Sequence, residues 1–171
     1  MKTELKYGLI IALASAALLI IQDLAGLYNE HIQYLSSISW VGYIIPVIGL
    51  FFAIKEKRDK DLEGFISYGR CIGTGVLTSL VSGIIGAVVQ YVFISFVNPG
   101  FTERLMDIQR EQMLDNGLPP EQADAAMGMV QFMFSPLMMT LLAFTGAVIA
   151  GVVISLIIGA ILKKVPKQEF E

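Results

Sequence analysis

The fold is decided by residues 136–163, which read PLMMTLLAFTGAVIAGVVISLIIGAILK. They lie within a longer segment that has no charged residue between Asp124 and Lys163. A helix needs about 20 mostly apolar residues to cross the hydrocarbon core of a bilayer, so this stretch is long enough. The sequence therefore predicts a membrane-spanning helix here.

Three further segments of the chain are also free of charge. They lie between the charged residues Lys6 and Asp23, between Glu30 and Lys55, and between Arg70 and Glu103. Because each segment holds one apolar run, we predict four spans, at about 5–26, 36–56, 69–97 and 136–163. The runs lack the alternation of barrel strands, and helices satisfy their own backbone groups in lipid. The predicted fold is all-α, a four-helix polytopic transmembrane bundle that forms one integral membrane domain over residues 1–171.

The composition agrees with a chain that is partly dissolved in lipid. Hydrophobic residues make up 55% of the chain and charged residues 16%, whereas soluble domains carry about 25% charge. The apolar content excludes intrinsic disorder, and a net charge of −3 gives no basic surface for nucleic acid. Cys71 is the only cysteine, which excludes a disulfide framework and a multi-cysteine metal site. The expected partner is therefore the lipid bilayer.

Lysine and arginine residues are distributed unequally between the two sides of the predicted bundle. Ten of the twelve lie before helix 1, between helices 2 and 3, or after helix 4. The other side carries two, Arg104 and Arg110, together with eight acidic residues. Because basic loops are retained in the cytoplasm, we predict that the N- and C-termini are cytoplasmic.

The connection between helices 3 and 4, residues 98–135, is a long polar segment. Asn98-Pro99-Gly100 ends helix 3, and Asn116-Gly117 followed by Pro119 separates two amphipathic helices. We predict an extracytoplasmic amphipathic helical hairpin with an acidic face and an apolar face. Such a hairpin can cap the bundle, lie on the membrane or bind a protein.

Small residues recur at every fourth position on helices 3 and 4, which places them on one face of each helix. They are Gly75, Ser79, Gly83 and Ala87 on helix 3, and Ala147, Gly151, Ser155 and Gly159 on helix 4. Such faces let helix backbones approach closely in lipid. We predict that these faces pack inside the bundle, and a homo-oligomer that uses one of them is the alternative.

Three residues inside or next to the spans are exceptions to the apolar pattern. Pro46 lacks an amide donor and its ring crowds the carbonyl of Gly42, so we predict a helix kink there. Asp23 and Gln90 are the candidate polar residues within the membrane. Proton- or ion-coupled transport usually shows an intramembrane carboxylate, for which Asp23 is the sole candidate, although a position at the interfacial end of helix 1 is favoured for it. Gln90 is expected to form an interhelical hydrogen bond.

Motifs of catalysis and of metal or cofactor binding are absent from the sequence. His31 is the only histidine, and it lies on the opposite side of the predicted membrane from Cys71, which excludes a catalytic pair. There is no HExxH motif and no glycine-rich phosphate loop with its lysine. We therefore predict no catalytic, cofactor-binding or metal-binding residue, and no enzymatic activity.

Residues 52–70, FAIKEKRDKDLEGFISYGR, resemble the pattern G-I-K-x-Y-R-D-K-x-x-G-G-x-I-x-F-G-K of a bacterial membrane family, domain of unknown function 4199. The chain departs from this pattern at Ala53, Lys57, Glu63 and Arg70. The resemblance implies a four-helix inner-membrane protein of Gram-negative bacteria. It supplies no activity, ligand or catalytic residue.

These observations favour a non-enzymatic structural or accessory subunit of the inner membrane. We expect it to bind a membrane protein partner through the outer hairpin, which is the elaborated region outside the predicted spans. The alternative is a small oligomeric transporter or channel that uses Pro46, Gln90 and Asp23.

Overall fold

The computed structural model describes residues 2–34 and 38–165. Of the residues that the structure describes, 85% are helical and none lies in a β-strand, so the all-α prediction is confirmed. The α-helices are α1 (Lys2–Leu24), α2 (Ile44–Glu56), α3 (Tyr68–Val92), α4 (Phe101–Asp115), α5 (Pro120–Val130) and α6 (Pro136–Leu162). Shorter segments flank them, as 3₁₀-helices at Ile32–Tyr34, Ser39–Tyr43 and Gln131–Phe134 and π-helices at Lys57–Asp61 and Phe93–Val97.

Three helical segments are long and apolar enough to cross a membrane. They are Lys2–Leu24, Tyr68–Val97 and Pro136–Leu162. The second of them combines α3 with the π-helical segment that follows it. These segments lie where the first, third and fourth spans are predicted, and they support assignment to the membrane proteins.

The second predicted span, 36–56, differs from expectation because it is not one α-helix. Residues 35–37 lie outside the described residues, Ser39–Tyr43 form a 3₁₀-helix, and α2 begins at Ile44. Pro46 therefore lies in the first turn of α2, which continues directly from the 3₁₀-helix, and the kink at Pro46 stays a prediction.

Helices α3 and α6 approach each other through matched glycine and serine residues. A Cβ atom added to Gly75 would overlap the Ser155 side chain, and one added to Gly151 would overlap the Ser79 side chain. The members of each helix are four residues apart, so the two pairs form a reciprocal contact between antiparallel helices. The contact leaves no room for a larger residue at either glycine.

Two apolar clusters fill the space between α1, α2, α3 and α6, which pack against one another. One lies where α1 begins and α6 ends, which we call the terminal end, and contains Ile11, Leu50, Ile54, Ile66, Cys71, Ile158 and Leu162. The other lies where α3 leads into α4, which we call the α4–α5 end, and contains Phe93, Ile94 and Phe101. The first cluster therefore joins all four helices, whereas no residue of α2 belongs to the second.

Charged side chains join α1 to the π-helical segment Lys57–Asp61 at the terminal end. Lys57 Nζ lies 3.1 Å from Glu4 Oε1 and 3.0 Å from Asp61 Oδ2. The Thr3 hydroxyl also donates to Asp61 Oδ2 at 2.9 Å. The Lys57 ammonium group and then the Thr3 hydroxyl lower the pKa of Asp61. These contacts fix the start of α1 against the segment that follows α2.

We expect the stability of this network to fall in acid because Asp61 accepts its ion pair as a carboxylate. Its pKa is lowered in the folded chain, so its stabilising contribution is present above the unfolded value of about 4. The contribution is lost as the pH falls through the lowered folded value. Thermal unfolding in detergent at neutral pH and in acid should show a weaker pH dependence for Asp61→Asn than for the wild type. The same pH dependence in both proteins would contradict this role.

Candidate functional site

Arg104, in the first turns of α4, connects three separate parts of the chain. Its Nη2 donates to the Tyr28 carbonyl oxygen at 3.2 Å, to Asn29 Oδ1 at 2.9 Å, and to Asn98 Oδ1. Asn98 Nδ2 in turn donates to Asp23 Oδ1 at 3.0 Å. We call these five residues the clasp. The clasp links α4 to the end of α1 and to the residue that follows the π-helical segment after α3.

The Tyr28 ring adds aromatic contacts beneath the clasp. Its centroid lies 5.3 Å from that of Phe93 and 5.0 Å from that of Phe101, both edge to face. The Tyr28 hydroxyl donates to Gln22 Oε1 at 3.2 Å. Burial, and then the charge of Asp23, raise the pKa of Tyr28, which keeps the hydroxyl protonated. Polar and apolar contacts together hold the start of α4.

The rest of α4 and α5 presents an acidic and partly apolar surface. Arg110 Nε lies 2.6 Å from Asp124 Oδ1 and joins the two helices, and the guanidinium lowers the pKa of Asp124. Met129 is 80% exposed and Phe132 is 61% exposed. Five acidic residues of the two helices form no salt bridge with any described residue, namely Glu103, Asp107, Glu111, Asp115 and Glu121. We call this region the acidic surface.

A cavity of about 350 Å³ lies between α1, α2, α3 and α6. Gln90 and Pro46 line it, as do Ser15, Ser82 and Tyr43. Several of the small residues predicted for helix packing also line it, namely Ser79, Gly83, Ala87, Ala147 and Gly151. The faces of α3 and α6 that carry small residues therefore form a close helix contact in one place and line an open cavity in another.

The structure separates the polar residues that the sequence grouped together. Gln90 lines the cavity, whereas Asp23 belongs to the clasp at the α4–α5 end. Gly159 packs against Cys71 and Tyr68, nearer the terminal end. Sequence reasoning missed Arg104 as a site residue. The sequence could have indicated Arg104, because it is one of only two basic residues in the predicted outer regions, which also contain eight acidic residues.

The cavity differs from the clasp and the acidic surface because its lining is uncharged. No charged side chain is among the residues that line the cavity. Within residues 2–34 and 38–165, no group of three or more His, Cys, Asp or Glu residues is placed to hold a metal ion. The cavity therefore offers the Gln90 amide and a few hydroxyl groups on an apolar lining.

Comparison with known proteins places the chain by family alone. A family model described as "Protein of unknown function (DUF4199)" matches residues 6–164, which confirms the resemblance seen in residues 52–70. No curated protein matches the chain, and no solved structure matches it.

Proposed function

The chain belongs to the DUF4199 family, whose function is unknown, and from that premise we propose a function on the basis of its own residues. It is a non-enzymatic accessory protein of the bacterial inner membrane. It binds a protein partner through α4 and α5, and it carries no catalytic residue.

The proposed protein is a four-helix bundle that crosses the membrane four times, with both termini in the cytoplasm and α4–α5 as a helical hairpin on the other side. In this proposal the second predicted span consists of Ser39–Tyr43 followed by α2. Five residues at about 2.0 Å and thirteen at about 1.5 Å give about 30 Å, the thickness of the hydrocarbon core. The distribution of lysine and arginine supports the orientation.

The clasp is the observation that carries the proposal. A short pair of helices is marginal in water without tertiary contacts. Arg104 and Phe101 supply those contacts at the start of α4 while the acidic surface stays exposed. A preorganised surface binds a partner without first being ordered, which favours recognition. We therefore expect a partner with a basic and partly apolar face.

Charge reversal on the acidic surface tests this proposal. Glu111→Lys together with Asp115→Lys should reduce the amount of co-purified partner about tenfold or more, because like charges across an interface cost several kcal/mol. Glu63→Lys at the terminal end changes the charge by the same amount as either single substitution, so it is the control for the Glu111→Lys and Asp115→Lys single variants. Quantitative mass spectrometry of proteins crosslinked in native membranes measures the difference. A partner set that is the same for the wild type and the double variant would contradict the proposal.

A second candidate function is a small oligomeric transporter or channel, and the cavity favours it. Gln90 and Pro46 both line that space. Two packed clusters lie beyond its two ends, however, and Asp23 lies in the clasp rather than in the cavity. Reconstituted protein that shows no solute flux in liposomes, or flux unchanged by Gln90→Leu, would exclude this candidate.

A further inference from the structure

The cavity opens sideways rather than towards either end of the helices. Ile11 belongs both to its lining and to the cluster at the terminal end, and Leu19 connects the lining to the cluster at the α4–α5 end. Tyr43 is 58% exposed, and Ala143 and Ala147 are exposed as well. The opening therefore lies between the Ser39–Tyr43 segment and α6. If the helices cross a membrane as proposed above, this opening faces lipid.

The lining selects an uncharged ligand that has a hydrogen-bonding group. The Ser82 hydroxyl donates to the Ser79 carbonyl oxygen at 3.2 Å and is satisfied within its own helix. The Gln90 side chain forms no hydrogen bond with any described residue. A carboxamide without a partner in an apolar setting is costly, and a ligand that bonds to it removes that cost. Gln90 is thus the polar end of the site.

The dimensions of the cavity select a chain rather than a helix. Gln90 and Ser79 are eleven residues apart on α3, which corresponds to about 16 Å. A volume of about 350 Å³ over that length makes the cavity long and narrow. A helix about 10 Å across needs about 80 Å² and does not fit. One extended hydrocarbon chain does fit.

The depth of Gln90 matches the level of lipid ester groups. Tyr68–Val97 has 30 residues, or about 45 Å, and exceeds a hydrocarbon core of about 30 Å by about 7 Å at each end. Gln90 lies seven residues before Val97, which is about 10 Å from the helix end. Its amide therefore lies just below the boundary where the glycerol esters of a bilayer are found.

We infer that the cavity binds one acyl chain of a glycerolipid, taken from the leaflet on the α4–α5 side, with Gln90 Nε2 donating to the ester carbonyl oxygen of that chain. The small residues Gly83, Ala87 and Ala147 leave space for the chain. The headgroup stays outside, near Tyr43. This inference rests on the proposed membrane location and does not depend on the proposed protein partner.

The test measures binding of 1-palmitoyl-2-oleoyl phosphatidylethanolamine to the purified full chain in a non-ionic detergent by native mass spectrometry. The wild type should bind one lipid saturably. Gly86→Leu places a side chain in the cavity, where no atom lies within 4 Å of the new Cβ, and should weaken binding about tenfold or more. Gly146→Leu is the matched control, because it also meets open space but does not line the cavity. It should bind as the wild type does.

Gln90→Leu separates the polar contact from the shape of the site. Loss of one hydrogen bond should weaken binding about two- to tenfold, without a change in the thermal unfolding midpoint. Methyl oleate should compete with the phospholipid because it keeps the chain and the ester. If Gly86→Leu fails to fold, the Gln90→Leu result decides the question.

Three results would overturn the inference. They are the absence of a saturable lipid, equal affinity for Gly86→Leu and the wild type, and tighter binding of decyl-ubiquinone than of the phospholipid. Failure of the membrane location itself would be seen separately, by labelling of exposed cysteines. Failure of the partner proposal leaves lipid binding unchanged, so the hypotheses are distinguishable.

Discussion

Gly75→Leu is expected to prevent stable packing of α3 against α6. The new side chain would occupy the position of the Ser155 side chain, and the Ser155 Cα atom lies 3.7 Å from the added Cβ. Ser155 is fully buried, so its side chain cannot move out into solvent to make room. Overpacking of this kind costs about 3 kcal/mol, near the top of the usual range. The thermal unfolding midpoint in detergent and the yield of monodisperse protein measure the loss.

Gly146→Leu is the control for this prediction. Gly146 lies on α6, one of the two helices concerned, and no atom lies within 4 Å of its added Cβ. Because a leucine there meets open space, the variant should unfold at nearly the wild-type temperature. Equal stability of the Gly75→Leu and Gly146→Leu proteins would contradict the close packing of α3 against α6 described above.

Arg104→Ala is expected to release α4 from the rest of the protein. The substitution removes the guanidinium group and with it the hydrogen bonds to Tyr28, Asn29 and Asn98, so the Tyr28 carbonyl oxygen loses a charged donor. A hydrogen bond to a charged group contributes about 1.5–3 kcal/mol, so we expect a local loss of about 2 kcal/mol. Hydrogen exchange should become faster in α4 while α3 and α6 remain protected.

Arg110→Ala is the matched control for the clasp. Arg110 lies on the same helix, but its ion pair with Asp124 is exposed, and pairs of this type add little to stability. Exchange in α4 should therefore stay close to that of the wild type. Equal protection of α4 in the Arg104→Ala and Arg110→Ala proteins would show that the clasp does not hold the helix.

Much of the helical organisation could be predicted from the sequence because a helix in lipid needs a long apolar segment without charged residues. Long charge-free segments predict spans, and the structure has three helical segments of sufficient length and apolarity. The start of α2 could not be predicted in the same way. Pro46 was recognised as exceptional, but whether a proline kinks a helix or begins one depends on hydrogen bonds in the preceding turn. That turn is a 3₁₀-helix, which hydropathy does not reveal.

The candidate sites were predictable only in part, for a geometric reason. Gln90 and Asp23 were identified because polar residues near apolar runs are rare. Spacing within one helix, however, does not give the register between two helices, so the contact of Gly75 with Ser155 was not predictable. The cavity is lined by residues from four separate helices, and no local pattern along the sequence encodes it.

Cysteine labelling tests the central claim, that the chain crosses the membrane with α4–α5 opposite its termini. Cys71 is buried and is the only cysteine, so Cys71→Ala gives a suitable background. Glu111→Cys and Lys60→Cys then place one thiol on α4 and one beside α2. A membrane-impermeant maleimide applied to spheroplasts should label Glu111→Cys before permeabilisation and Lys60→Cys only after it. Labelling of Lys60→Cys alone, or of neither protein, in sealed spheroplasts would contradict the account.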